Sequence, residues 1–242
     1  VLRLAPLLAL AACPKGRAPD VLEADAAALF APGRYDYVEL ESHVGLPPMR
    51  NTVTETWTRA PEQAPPAELP GEVWLVENYG LPPLPPGTPA DAAQPVLLGT
   101  TTYVMGERGL AHVAFRRGGD ERTYAPKFAL PAKVGPGVTW SGTHGAGMEQ
   151  NTQSCVVEPT PFCAQGVAVA CETRWPDRAV WLRHHWCVGT GWVGYEAVRV
   201  ANGAAVVSWS EEVSKDGEPL PSVDITQRPV PEVVVHKVPT GG

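Results

Sequence analysis

Four cysteines, Cys155, Cys163, Cys171 and Cys187, fall within a span of 33 residues. Such a set can ligate a metal or form disulfides. The steps of 8, 8 and 16 residues lack the two-to-four-residue spacing of a zinc knuckle, so no metal site is expected. An even set fits two disulfides, for which three connectivities exist. Residues 166–174 (GVAVACETR) and 179–188 (AVWLRHHWCV) read as two strands. Trp175-Pro176-Asp177-Arg178 between them reads as a tight turn. That register sets Cys171 opposite Leu182 and Cys187 opposite Gly166, which puts the two cysteines roughly 17 Å apart along the strands. A disulfide needs its Cα atoms within about 7 Å. The 171–187 bridge is therefore disfavoured, and the 155–163 bridge falls with it. Of the two remaining patterns, the reading leans to Cys163–Cys187 with Cys155–Cys171.

Other residues invite chemistry with less support. His184 and His185 are neighbours on a strand and so point to opposite faces. His184 shares a face with Val180, Leu182 and Trp186 and is expected to be buried and hydrogen-bonded. His185 shares a face with Arg183 and is expected in solvent. His43, His112, His144 and His236 form no spaced set. Gly189-Thr190-Gly191-Trp192-Val193-Gly194 matches the dinucleotide fingerprint letter for letter, but that motif needs a following helix. Here Tyr195–Val200 reads as a strand, so a glycine bend between strands is expected. Gly142–Gly147 is a glycine-rich loop without the Lys of a phosphate loop. No catalytic residue, metal or cofactor is assigned. Trp181, Trp186 and Trp192 belong to a tryptophan-rich stretch. Indoles bury large apolar areas, so most are expected in the core. As a functional alternative, these three are candidates to line an apolar groove. Trp181 points away from Trp186, so the two cannot share one core layer.

The elements that position these residues are mostly strands. Asp20–Phe30 is the one helix candidate, with Asp20 and Glu23 placed for a capping box. Strand patterns follow over 34–42, 50–59, 72–79, 96–105, 108–117, 137–141, 152–157, 166–174, 179–188, 192–200 and 204–210. Asn202-Gly203 is a strong hairpin signal. Short strands separated by turn residues indicate an antiparallel, mainly β domain over 20–213. Pro61–Gly71 and Leu81–Pro95 read as long Pro-rich surface loops. Residues 214–242 read as a polar tail in which Val233–Val235 can pair at an edge.

Composition agrees with this. The 27 Pro and 24 Gly make up about a fifth of 242 residues, too many for long helices and too few for a low-complexity chain. A net charge of −7 and the lack of a basic stripe argue against a nucleic-acid partner. No run of about 20 apolar residues offers a membrane-spanning helix.

The N-terminal segment VLRLAPLLALAAC has the order of a secretory signal: one positive charge, an apolar run, then small residues. Its last four residues, Leu10-Ala11-Ala12-Cys13, resemble the lipobox of bacterial lipoproteins. The resemblance implies removal of residues 1–12, lipidation of Cys13, and a tether over 13–19. Pro14, where an inner-membrane retention signal has Asp, implies the outer membrane. An even set of cysteines suits the same oxidising compartment. The later half resembles a loose group of exported β-rich lipoproteins. The shared features are a hairpin from Gly106 to Ala114, then Pro131, Gly135 and Trp140, then Gly189-Thr190-Gly191-Trp192-Val193. That resemblance implies a single curved antiparallel sheet, like a meander or half-barrel, and brings no catalytic residues.

The expectation is a lipid-anchored cell-envelope protein without catalysis that binds an apolar ligand or lipid in a Trp-rich groove. A structural or adhesive component that contacts other envelope proteins is the alternative, and an envelope hydrolase a distant third. An apolar cavity separates the first from the second. A histidine beside a nucleophile in a polar cleft would mark the third.

Overall fold

A computed structural model describes residues 24–43, 48–81, 94–145, 150–201 and 204–223. The elements are β1 (Ala24–Asp25), α1 (Ala26–Leu29), β2 (Arg34–His43), β3 (Met49–Arg59), β4 (Glu72–Gly80), β5 (Val96–Gly106), β6 (Gly109–Arg117), β7 (Asp120–Pro131) and β8 (Lys133–Val134). They continue with β9 (Thr139–His144), β10 (Asn151–Pro159), β11 (Gly166–Arg174), β12 (Arg178–Cys187), β13 (Gly191–Ala201), β14 (Ala204–Lys215) and β15 (Glu218–Pro219).

The fold is mainly β and almost entirely one antiparallel sheet, ordered β7-β6-β5-β4-β3-β2-β14-β13-β12-β11-β10-β9, with β15 added on β14. It consists of two meanders, β2 to β7 and β9 to β14, joined where β14 pairs with β2. The sheet is not closed into a barrel. It nevertheless curls. The main core joins Tyr35 and Tyr37 of β2, Leu110 of β6, Leu130 of β7, Val157 of β10 and Trp186 of β12, strands far apart in the order. The two edges also approach, with His144 on β9 near the backbone of Ala125 on β7.

The alternation along each strand sorts residues to an inner and an outer face. One end of the inner face is closed by α1, whose Ala26 and Leu29, three residues apart, enter the core. Trp57 stacks on Tyr103 at 5.0 Å, and Tyr35 meets Trp192 edge-on at 5.7 Å. The outer face is covered in two places. The loop after β3 buries Ala60 and Leu69 against Val73, Val104, Ala111 and Val113. Phe162 and the Cys163–Cys187 bridge lie with Val193 over the second meander, against Trp209, Leu220 and Val223.

Several expectations need correction. The helix over 20–30 is one turn, 26–29, and Asp25 at its start makes no side-chain cap. Ala24 and Asp25 pair instead with Val134 and Lys133. So short a helix gains little from propensity, and packing decides its extent. Asp20 and Glu23 lie outside the described residues. β7 has no counterpart in the sequence reading because it carries Pro126 and Pro131. It is an edge strand, where a missing N–H is tolerated. β14 runs on to Lys215 and pairs with β15, past the expected start of the tail at 214. β13 and β14 pair as far as Ala201 opposite Ala204, and Asn202-Gly203 between them lies outside the described residues. Val233–Val235 and most of Leu81–Pro95 lie outside the described residues.

Candidate functional site

The disulfides are Cys155–Cys171 and Cys163–Cys187. β11 and β12 pair with Cys171 opposite Leu182 and Gly166 opposite Cys187, the register expected from the four-residue turn. Cys155 sits directly opposite Cys171 on the neighbouring strand, with Cα atoms 4.1 Å apart. Two disulfides are compatible with an exported protein.

The three candidate tryptophans do not line one groove. Trp186 and Trp192 are core residues, each 5% exposed. Trp181 is on the outer face, with the Arg183 guanidinium 4.6 Å above its ring. Trp192 reaches the inner face through a bulge. The register between β12 and β13 slips after His185, so Trp192 and Tyr195 both face inward while Val193 faces out. This bulge is what the GxGxxG letters encode. A Cβ on Gly191, at φ +94°, would come within 2.5 Å of the Tyr35 hydroxyl.

The two adjacent histidines divide as the alternation requires. His184 is half-buried on the inner face and accepts the Trp192 indole N–H at 3.0 Å. Burial, with His185 next door, pushes its pKa down to about 4, so the ring is neutral. His185 is not in solvent but has no exposed surface at all. The alternation gives its face correctly, but sequence cannot show that the segment around Phe162 covers that face. The Phe162 and His185 rings lie 4.6 Å apart. His185 Nε2 is 3.1 Å from Glu196 Oε1, and its Nδ1 is 2.9 Å from Thr160 Oγ1. Thr160 Oγ1 in turn accepts the Phe162 N–H at 3.3 Å. The chain of donors runs from the Phe162 amide to Thr160, to His185, to Glu196, with Nε2 carrying the imidazole proton. Burial raises the Glu196 pKa, but His185 and Arg183 outweigh it and hold the carboxyl below its usual range. Arg183 also pairs with Glu158 at 3.0 Å. The connectivity is that of a nucleophile, base and carboxylate. With the imidazole sealed, it ties the covering loop to the sheet.

The inner face beyond the core is polar. Glu55 on β3 accepts the Tyr37 hydroxyl at 3.0 Å. Burial, reinforced by Glu39, pushes its pKa up to about 7. Tyr195 donates its hydroxyl to Glu39, and Arg199 pairs with Glu41.

Where the two edges of the sheet approach, they leave a cleft of about 550 Å³. His112 on β6, Arg122, Thr123 and Lys127 on β7 form one wall. Gly145, Asn151 on β10, Trp175 in the turn and Arg178 on β12 form the other. Arg178 lies 4.7 Å over the Trp175 ring and 3.3 Å from Asp177. No carboxylate is among the described residues that line the cleft. Burial lowers the pKa of Lys127. Burial, with Lys127 adding to it, also lowers that of His112, to about 4, and that of His144. Such a wall offers hydrogen-bond donors and positive charge. Sequence reasoning missed it because its residues come from distant segments. The one local signal was Trp175 beside Arg178 in the turn.

Among the described residues no group of three or more His, Cys, Asp or Glu side chains could hold a metal ion. Leu10-Ala11-Ala12-Cys13, His236 and the tether lie outside the described residues. No family model, curated protein or solved structure matches the chain.

Proposed function

We propose that this chain is a non-catalytic binding protein of the bacterial cell envelope, anchored by lipid at Cys13, that holds a small organic anion in the cleft between the sheet edges. The cleft carries this reading: Arg122, Lys127 and Arg178 bring positive charge to it, and no carboxylate lines it among the described residues, in a chain of net charge −7. Concentrating positive charge against the overall sign of the chain selects an anionic partner. The cavity has the size of a small-molecule site. Its basic lining favours an anionic ligand over the purely apolar one expected from the tryptophans. The lipobox and the two disulfides support export and anchoring.

Calorimetric titration with small organic anions and with neutral molecules of matching size tests the reading. The protein should bind anions, and the double variant Lys127→Gln, Arg178→Gln should lose at least about tenfold in affinity, as expected when charge-assisted hydrogen bonds are removed. Equal affinity for neutral molecules, or unchanged binding in that variant, would overturn it.

A further inference from the structure

Resting on the anion-binding reading, we infer that the organic part of the ligand is polyhydroxylated, so that the protein takes a sugar acid: its carboxylate meets the cationic cleft and its hydroxyls enter the tyrosine-rich hollow of the inner face beside it. Three half-buried side chains of that hollow carry the inference. The Tyr103 hydroxyl on β5 makes no hydrogen bond with the described residues. Burial, with the nearby Glu55 charge adding to it, raises its pKa. Glu55 on β3 accepts the Tyr37 hydroxyl at 3.0 Å, has no cation beside it among the described residues, and keeps a second oxygen as an acceptor. His184 on β12 accepts the Trp192 indole N–H at Nδ1, so its neutral ring carries the proton on Nε2, a donor without an acceptor among the described residues. These three groups open on the hollow, whereas the Trp140 and Trp186 indole nitrogens are sealed in the core.

Ring contacts join these groups into one surface and connect it to the cleft. Trp57 stacks on Tyr103 at 5.0 Å, Tyr37 lies 6.2 Å from Tyr195, and Tyr195 lies 6.1 Å from His184. Tyr103 is 5.5 Å from His112, which lines the cleft. The mixture of donors and acceptors chooses between organic groups. An alkyl chain would take the Tyr103 hydroxyl, the Glu55 oxygen and the His184 N–H out of water and give them nothing in return, which costs free energy for each. An ammonium would satisfy Glu55 and its neighbour Glu39 but has no acceptor for the His184 N–H. A hydroxyl does both: it donates to Glu55 and accepts from His184, and the Tyr103 hydroxyl serves in either sense. The aromatic rings offer apolar faces to the C–H groups between the hydroxyls.

The test is calorimetric titration of the full chain, disulfides oxidised, with glucuronate, glucose, hexanoate and 6-aminohexanoate. Glucuronate should bind at least about tenfold tighter than each of the other three, as expected when two or more hydrogen bonds are gained. Hexanoate binding as tightly as glucuronate would overturn the polyhydroxyl assignment and leave the anion reading standing. So would 6-aminohexanoate binding more tightly, which would put a cation in the hollow. Glucose matching glucuronate would overturn the anion reading and the sugar-acid assignment that rests on it. No binding of any acid would overturn both.

Tyr103→Phe keeps the ring stacked on Trp57 and deletes only a hydroxyl that the described residues leave unused. It should weaken glucuronate binding about fivefold and hexanoate binding by less, the loss expected for one hydrogen bond. Glu55→Met should weaken glucuronate comparably, and Glu55→Gln, which keeps an acceptor oxygen, should restore most of the affinity. Full glucuronate affinity in both Tyr103→Phe and Glu55→Met would contradict the assignment.

Discussion

Glu55→Gln should stabilise the protein at alkaline pH and not at acid pH. The Glu55 carboxyl sits on the inner face among Tyr35, Tyr37 and Tyr103, and its pKa rises from 4.5 to about 7 chiefly because burial disfavours the charged form. The folded state therefore binds a proton more tightly than the unfolded chain. Between the two values stability falls as pH rises, and above about 7 the full cost of the buried charge is present. At 1.36 kcal/mol per pH unit, the interval from 4.5 to about 7 corresponds to an upper value of roughly 3 kcal/mol. Glu55 is only half-buried, so water in the hollow reduces this, and a gain of about 1–3 kcal/mol is the working figure at pH 8. Gln keeps an acceptor for the Tyr37 hydroxyl, so packing and hydrogen bonding persist. Urea unfolding of wild type and variant at pH 4.5 and pH 8 reads the difference directly. A variant equally stabilised at both pH values, or destabilised at pH 8, would refute the burial argument.

Removing the Cys163–Cys187 bridge with paired Ser substitutions should cost about 3.5 kcal/mol for its separation of 24 residues, if loop entropy dominates. Thermal unfolding measures it, and a loss below about 1 kcal/mol would show the loop held by Phe162 and Val193 alone. The lowered Glu196 pKa contributes stability above the unfolded carboxylate pKa, and that share is lost as pH falls through the folded value. Glu196→Gln should therefore narrow the difference from wild type in acid, which a pH series of urea midpoints checks. Leu130→Ala, at a fully buried position of the main core, should cost about 2–5 kcal/mol in chemical unfolding.

Strand periodicity and turn chemistry made much of the sheet legible. The turn over 175–178 fixed the register of β11 and β12, which excluded one of the three disulfide patterns and left a lean to the observed one. The alternation along β12 separated His184 from His185 and Trp181 from Trp186. It could not tell which face would be covered, because the segment around Phe162 and the residues near Leu220 that cover it are distant in sequence. β7 was hidden by its prolines, and without it the sheet has no second edge to approach β9. The cleft was hidden for the same reason. Residues 112, 122 and 127 meet 175 and 178 only because the sheet curls, and local patterns do not encode curvature over a dozen strands.

The most direct test of the binding role is native mass spectrometry of the protein purified from an oxidising compartment, beside its Lys127→Gln, Arg178→Gln variant. The account predicts a bound acidic small molecule on the wild-type chain, removable by denaturing extraction, and a bare mass for the variant. A bare wild-type chain that takes up no anion when titrated, or an adduct retained equally by both proteins, would contradict it.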